Sequence, residues 1–307
     1  MDRTDGGAFS RSTVIEKTLL DDPKRYNIFY PDQLCEADIS SKSDQEETSL
    51  INESTNSSFP PDSYGGMRKF PRGKLIIFNI ENFHQPYGDL SRRDGTVKDR
   101  EALTSLFLDL GFIVEVFNDV TKKELLQVLK RISRDSFQSL GALFVAFLTH
   151  GLEKELYMSD GEIPVRTITE YLKGSNLAGK PKVLLVQACQ GNEYMDSLEV
   201  DGPQEEKHET ISFPSESDFL YAYSTVSGFF SWRNSSKGSW FIQALCKVFR
   251  KHAHTMDVMR MLTRVNALVS KHVSDTADPE ARGKRQVTST VSQLCKELYI
   301  LPPPQPP

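Results

Sequence analysis

The sequence predicts an α/β domain built on a mostly parallel sheet with helices on both faces. Short, continuous apolar runs of strand length recur along the chain, and amphipathic segments with helical spacing alternate with them. Strands that are apolar throughout are buried on both faces, and a parallel strand pair needs a long crossover, usually a helix. The longest strongly apolar runs, 142–148 and 183–186, fall far short of the ~18–20 residues a bilayer span requires.

The elements follow in order. Residues 74–80 (KLIIFNI) read as the first strand. Residues 94–111 read as a helix, with Leu103, Leu106 and Leu110 at helical spacing and Gly111 as its stop. Residues 112–117 form the second strand. Residues 121–133 form a helix with Thr121 near its start and Leu125, Leu126, Leu129 and Ile132 on one face. Residues 141–149 (GALFVAFLT) are the third strand, 165–172 a short helix and 181–188 (PKVLLVQA) the fourth strand. The stretch 192–217 breaks the pattern with Asp, Glu, Lys, Pro203 and Pro214. A structureless stretch of that length inside a compact domain argues for function or cleavage rather than packing. Residues 219–224 resume as a strand, 238–251 and 256–271 are helical, and 286–299 read as a strand or pair of strands. The end, 302–307, is polyproline-like, and there is no internal repeat.

Residues 1–66 differ from the rest. The part from 36 to 66 is rich in Ser, Asp, Glu and Asn and has no sustained period, so it reads as a mostly disordered leader. The N-terminus is acidic and lacks a hydrophobic segment, which argues against a signal peptide. Over 307 residues, 37 basic and 42 acidic side chains give a formal charge of −5. A mildly acidic chain without a dense basic stripe is a poor nucleic-acid binder. Four cysteines (Cys35, Cys189, Cys246 and Cys295) show no CxxC spacing, so neither a disulfide scaffold nor structural zinc is expected, and a reducing, cytoplasmic compartment fits best.

Chemistry concentrates where two strands end. Gln187-Ala188-Cys189-Gln190-Gly191 follows the fourth strand, and His150-Gly151 closes the third. Ligands of open α/β sheets collect beyond the carboxyl ends of the strands. A lone Cys there is ordinarily a small hydrophobe. Adjacent parallel strands, however, bring this thiol and this imidazole to one edge. The other five histidines, His84, His208, His252, His254 and His272, sit in polar or helical surroundings and read as surface residues.

The pentapeptide and its upstream histidine resemble the caspase signature. The resemblance runs from about residue 74 to 300 and includes Thr149-His150-Gly151, Ser231-Trp232-Arg233-Asn234-Ser235, Gly238-Ser239-Trp240 and Lys296-Glu297-Leu298-Tyr299. It implies a caspase-like three-layer sandwich around a six-stranded, mostly parallel sheet, of the short-leader executioner type. Its parts would be a leader 1–66, a large subunit 67–196, a cleavable linker 197–217 and a small subunit 218–307. Residues 67–307 would make one folded domain.

The same resemblance implies Cys189 as nucleophile and His150 as the proton donor to the departing amine. The N–H groups of Gly151 and Cys189 would form the oxyanion hole. Arg93, Arg233 and Gln187 would hold a substrate aspartate through charge-assisted bonds. Ser231 and Arg233 would pair with the substrate backbone. Phe230 and Trp232 would wall the second subsite, and Trp240 with Asn234 the fourth. Choosing Arg93 over Arg92 rests on alignment to the family's Arg-x-Gly-Thr element. Gln190 stands where Arg is commoner, and the loop 274–285 lacks the aromatics that usually close the outer subsites.

Cleavage candidates are Asp201 and Asp196 in the linker and Asp62 and Asp44 in the leader. The resemblance further implies a zymogen acting in apoptosis, with a homodimer formed through 286–294. It implies protein substrates cut after Asp, an upstream activating protease and inhibitor-of-apoptosis type partners. It implies no metal or other cofactor, no nucleic acid and no membrane. The rival expectations are a catalytically weak homologue acting as a scaffold or decoy, and a relative with basic specificity, which Arg93 and Arg233 would repel.

Overall fold

A computed structural model describes residues 20, 22–31, 62–64, 70–84, 90–191, 193–195 and 217–301. Five apolar runs form the inner, parallel strands of one sheet: β2 (Gly73–Asn79), β3 (Phe112–Asn118), β4 (Ala142–Leu148), β8 (Lys182–Gln187) and β9 (Phe219–Tyr223). Their order in space is β3-β2-β4-β8-β9. Antiparallel strands close both edges, β1 (Tyr26–Phe29) against β3 and β12 (Ser289–Ser292) against β9.

Strand β4 shows how the layers arise. All seven of its residues are buried, and alternate side chains enter different cores. Phe144, Ala146 and Leu148 pack with α1 (Thr96–Asp109), α4 (Trp240–His252) and α5 (Val258–Val269). Leu143, Val145 and Phe147 pack with α2 (Lys122–Ile132) and α3 (Val165–Tyr171). Local chemistry sets the helix starts. Thr121 and Glu124 form a reciprocal capping box on α2, Ser239 caps α4, and Asp257 accepts from Met259 and Arg260 at α5.

Among the described residues the sheet has seven strands rather than the expected six. The extra one, β1, lies in the stretch read as leader. Four residues are too few to show a period, and long-range contacts hold them: Tyr26 stacks on Phe117 at 4.8 Å, and Arg25 pairs with Glu124 at 2.7 Å. Of 286–299 only β12 is a strand. Gly238 and Ser239 do not begin a helix. They form β11 (Gly238–Ser239), paired with β10 (Arg233–Asn234) in a hairpin ahead of α4. A small sheet of β5 (Gly151–Leu152), β6 (Glu155–Met158) and β7 (Gly161–Pro164) follows β4.

Part of the leader is also tied down. The Asp62 carbonyl accepts from the Glu297 N–H at 3.0 Å, and the buried Tyr64 donates its hydroxyl to Asp218 at 2.6 Å. No helix among the described residues is long and apolar enough to cross a membrane.

Candidate active site

Strands β4 and β8 pair in register, with Leu148 opposite Gln187. His150 and Cys189 each lie two residues past that pair, and Thr149 N–H bonds the Gln187 carbonyl at 3.1 Å. The parallel ladder thus delivers imidazole and thiol to the same sheet edge. The two backbones nearly touch there. A Cβ on Gly151 would lie 2.8 Å from the Cys189 carbonyl oxygen and 2.9 Å from that of Glu155, so only glycine fits.

His150 Nε2 lies 2.9 Å from the Ser91 carbonyl. A carbonyl only accepts, so Nε2 carries the proton and Nδ1 of the neutral ring keeps its lone pair. Burial pushes His150 down to about 4; Arg93 and Arg233 push the same way and Ser91 opposes them. Phe83 packs on the ring at 5.0 Å. Burial raises the Cys189 thiol, against the Ser231 N–H, Arg93 and Arg233, which favour thiolate. The resting pair is therefore a neutral thiol beside a neutral imidazole. Ser231 N–H sits 3.5 Å from the sulfur and caps it.

Arg93 is 2% exposed. Its guanidinium donates to the Ile80 carbonyl at 3.2 Å and to Thr96 Oγ1 at 2.8 Å, and Thr96 in turn donates to Asn79. Burial and then Arg233 bring Arg93 down to about 9. Arg233, on β10, donates to the Asp94 carbonyl and is also lowered by burial. Both guanidiniums act on Cys189 and His150, so the two cations face one site. Arg92 instead lies exposed in an ion pair with Glu81 at 2.6 Å. Gln187 donates to Ser231 Oγ at 2.8 Å, and its buried Oε1 has no partner among the described residues.

The remaining predicted side chains line a trough beside this edge. Tyr194 stacks on Phe230 at 4.7 Å and Trp232 at 5.8 Å; Trp232 continues to Trp240 at 5.7 Å, and Trp240 to His272 at 5.1 Å. A cavity of about 850 Å³ opens along the far end, walled by Trp232, Arg233, Asn234, Trp240 and His272. The Asn234 Oδ1 accepts from Ser236 and Lys237 within its own hairpin.

Ser91, Tyr194 and His272 were not singled out by sequence. Ser91 acts through its carbonyl, which leaves no side-chain signal. His272 looks like any surface histidine until Trp240 is placed beside it. Gln190, where Arg is commoner, donates to the Thr225 carbonyl and has its backbone paired with Phe229 and Gly228. Asp44, Asp196 and Asp201 lie outside the described residues; Asp62 is exposed.

Comparison with known proteins identifies the family. The caspase-domain family matches residues 72–299. The chain is 38% identical to caspase-3 of Bos taurus over 232 residues, covering 74% of this chain and 84% of the relative. It is 38% identical to caspase-7 of Gallus gallus over 238 residues, covering 74% and 77%. With that extent of match around a sheet edge holding His150 and Cys189, the chain belongs to the caspase family of cysteine-type peptidases, among relatives of executioner type.

Proposed function

We propose that the chain is a cysteine endopeptidase that is made as a zymogen and cuts proteins after aspartate. One observation carries this reading. Two guanidiniums, the buried Arg93 and the half-buried Arg233, stand beside Cys189, each pushed down by burial and Arg93 further by Arg233, and neither has an ion-pair partner among the described residues. Such a pocket gains most from one entering carboxylate. Asparagine brings no charge, and glutamate is one methylene too long. Charge-assisted bonds of this kind contribute about 1.5–3 kcal/mol each.

With aspartate seated, Cys189 Sγ attacks the scissile carbonyl carbon and its proton passes to His150 Nδ1. The carbonyl electron pair moves to oxygen, where the N–H groups of Gly151 and Cys189 receive it. His150 then protonates the leaving amine as the C–N bond breaks. Water, deprotonated by His150, hydrolyses the thioester and restores the thiol. Trp232 and Phe230 pack the residue before the aspartate, and Trp240 with Asn234 the outer position.

The segment before the proposed cuts at Asp196 and Asp201 bears on activation. Glu193 pairs with Gly228 and Phe230, and Met195 with Arg285. This stitches the segment just ahead of the linker to the loop whose Ser231 N–H caps the sulfur. Cutting the linker frees that segment to move and lets the loop admit substrate, an order–disorder switch. The partly exposed strand β12 at the sheet edge suits pairing with a second copy. Cutting the leader at Asp44 or Asp62, activation by an upstream protease, inhibitor-of-apoptosis partners, a cytoplasmic location and a role in programmed cell death belong to the same reading.

Expressing the wild type beside Cys189→Ala tests it, with self-processing and hydrolysis of fluorogenic peptides ending in Asp, Glu, Asn or Arg as readouts. The expected outcome is cleavage of the Asp peptide by wild type and a loss of at least about 10⁴-fold in the variant. Self-processing by isolated Cys189→Ala defeats the mechanism.

A further inference from the structure

Close to the two arginines lies a buried carboxylate. Asp99, in the first turn of α1, is fully buried and has no cation within ion-pair distance among the described residues. Its carboxylate accepts from Ser239 N–H at 2.9 and 3.1 Å and from Gln243 Nε2 at 2.9 Å. Burial raises its carboxyl, while Gln243, Ser239 and Arg93 hold the anion. The carboxylate in turn favours the charged forms of both Arg93 and Arg233.

Its bonding partners matter as much as its charge. Ser239 is the register partner of Arg233 in the β10–β11 hairpin and the N-cap of α4. Arg93 stands just ahead of α1 and bonds Thr96, the first residue of that helix. Asp99 therefore joins the element that carries one guanidinium to the element that carries the other. The fit is close, since a Cβ on Gly238 would come within 2.4 Å of Asp99 Oδ1.

We propose that Asp99 is a positioning residue that fixes both the spacing and the net charge of the acid pocket. Two guanidiniums and one internal carboxylate leave one uncompensated positive charge, which a single substrate carboxylate cancels. Asp94 and Glu81 act on the arginines in the same direction but less than Asp99 does. Glu81 is paired with Arg92, and the Asp94 side chain is 65% exposed and screened by solvent. The inference rests on the reading of Arg93 and Arg233 as carboxylate binders.

Asp99→Asn keeps the shape, retains one oxygen that can accept from Ser239 N–H and Gln243, and removes the charge. The probes are reversible tetrapeptide aldehydes ending in Asp or Asn, added to self-processed enzyme, with thermal midpoints read with and without probe. In wild type the Asp probe raises the midpoint more than the Asn probe. In Asp99→Asn the empty enzyme melts about 5 °C or more lower, and the Asp probe gives a larger rise than in wild type. Gln243→Ala, which removes a hydrogen bond but no charge, leaves the Asp-probe rise unchanged. Asp99→Asn/Arg233→Gln melts higher than Asp99→Asn alone, or folds if the single variant does not.

An Asp-probe rise in Asp99→Asn equal to or below that of wild type overturns the proposal. So does a double variant no more stable than the single one. Absence of Asp preference in wild type is a different failure: it defeats the carboxylate reading of the pocket itself.

Discussion

His150 and Cys189 stand at the ends of strands seven and six residues long, whereas Arg233 and Asn234 form a two-residue strand in a short hairpin. The first region takes its geometry from the parallel ladder at the centre of the sheet. The second takes its geometry from single contacts: Asp99 on Ser239, Gln286 on Trp232 N–H at 2.8 Å, and the Asp94 carbonyl on Arg233. Reacting atoms on long strands keep their mutual position while short elements around them move. Recognition on short elements can be assembled or dismantled without disturbing the chemistry. Arg93 belongs with the rigid half and Arg233 with the movable one, so the acid pocket straddles the divide.

The largest expected effect probes that divide. Replacing either arginine by Gln lowers kcat/KM for Asp peptides by about 10²-fold. Lysine separates the two positions. Arg93 is held as a planar fork against Ile80 and Thr96, so Arg93→Lys loses as much as Arg93→Gln. Arg233 is partly exposed on a hairpin, and Arg233→Lys recovers part of the loss as a point charge. Equal recovery at both positions breaks the comparison.

The next effect is on stability and belongs to the rigid half. The folded pKa of His150, about 4, lies below the ordinary value of 6.5. Between those values the unfolded chain binds more protons than the folded one. This contribution is fully present above pH 6.5 and is lost as pH falls from 6.5 towards 4, by about 3 kcal/mol at most. Thermal midpoints of wild type and His150→Gln across that range measure it, and the variant shows the shallower slope. Parallel slopes place the imidazole in a more open setting.

The smallest effect lies farthest along the trough. Trp240 stacks between Trp232 and His272. Trp240→Ala raises KM for tetrapeptides several-fold, as expected from about 0.5–1.5 kcal/mol per aromatic pair, with little change in kcat. Steady-state kinetics on peptides of two lengths check this, since a shorter peptide that misses the outer subsite is indifferent to the change.

Long-strand features were legible in the sequence because burial on both faces writes continuous apolar runs such as ALFVAFL. Their ends, and hence His150 and Cys189, could be placed from spacing. Arg93, Arg233, Gln187 and the trough aromatics came only through resemblance. Two-residue strands have no period, and Gly238-Ser239 merges into the apolar pattern of the helix that follows. Ser91 contributes a carbonyl that every residue possesses. Asp99 reads as an ordinary acid in the first turn of a helix until the fold buries it. Strand β1 is too brief to register, and what holds it, Arg25 on Glu124 and Tyr26 on Phe117, depends on residues more than ninety positions away.

Strand β1 also has a topological meaning. The chain leaves the sheet after Phe29, is described as far as residue 31, and re-enters the described structure at Asp62, where it is tied to the C-terminal segment. While the backbone is intact, the strand is a tethered ligand of the β3 edge, docked at the high effective concentration of an intramolecular contact. One nick anywhere between residues 32 and 61 turns it into a separate peptide that must compete on its own affinity. Its departure uncovers the β3 edge, a row of unpaired backbone groups able to accept a new strand.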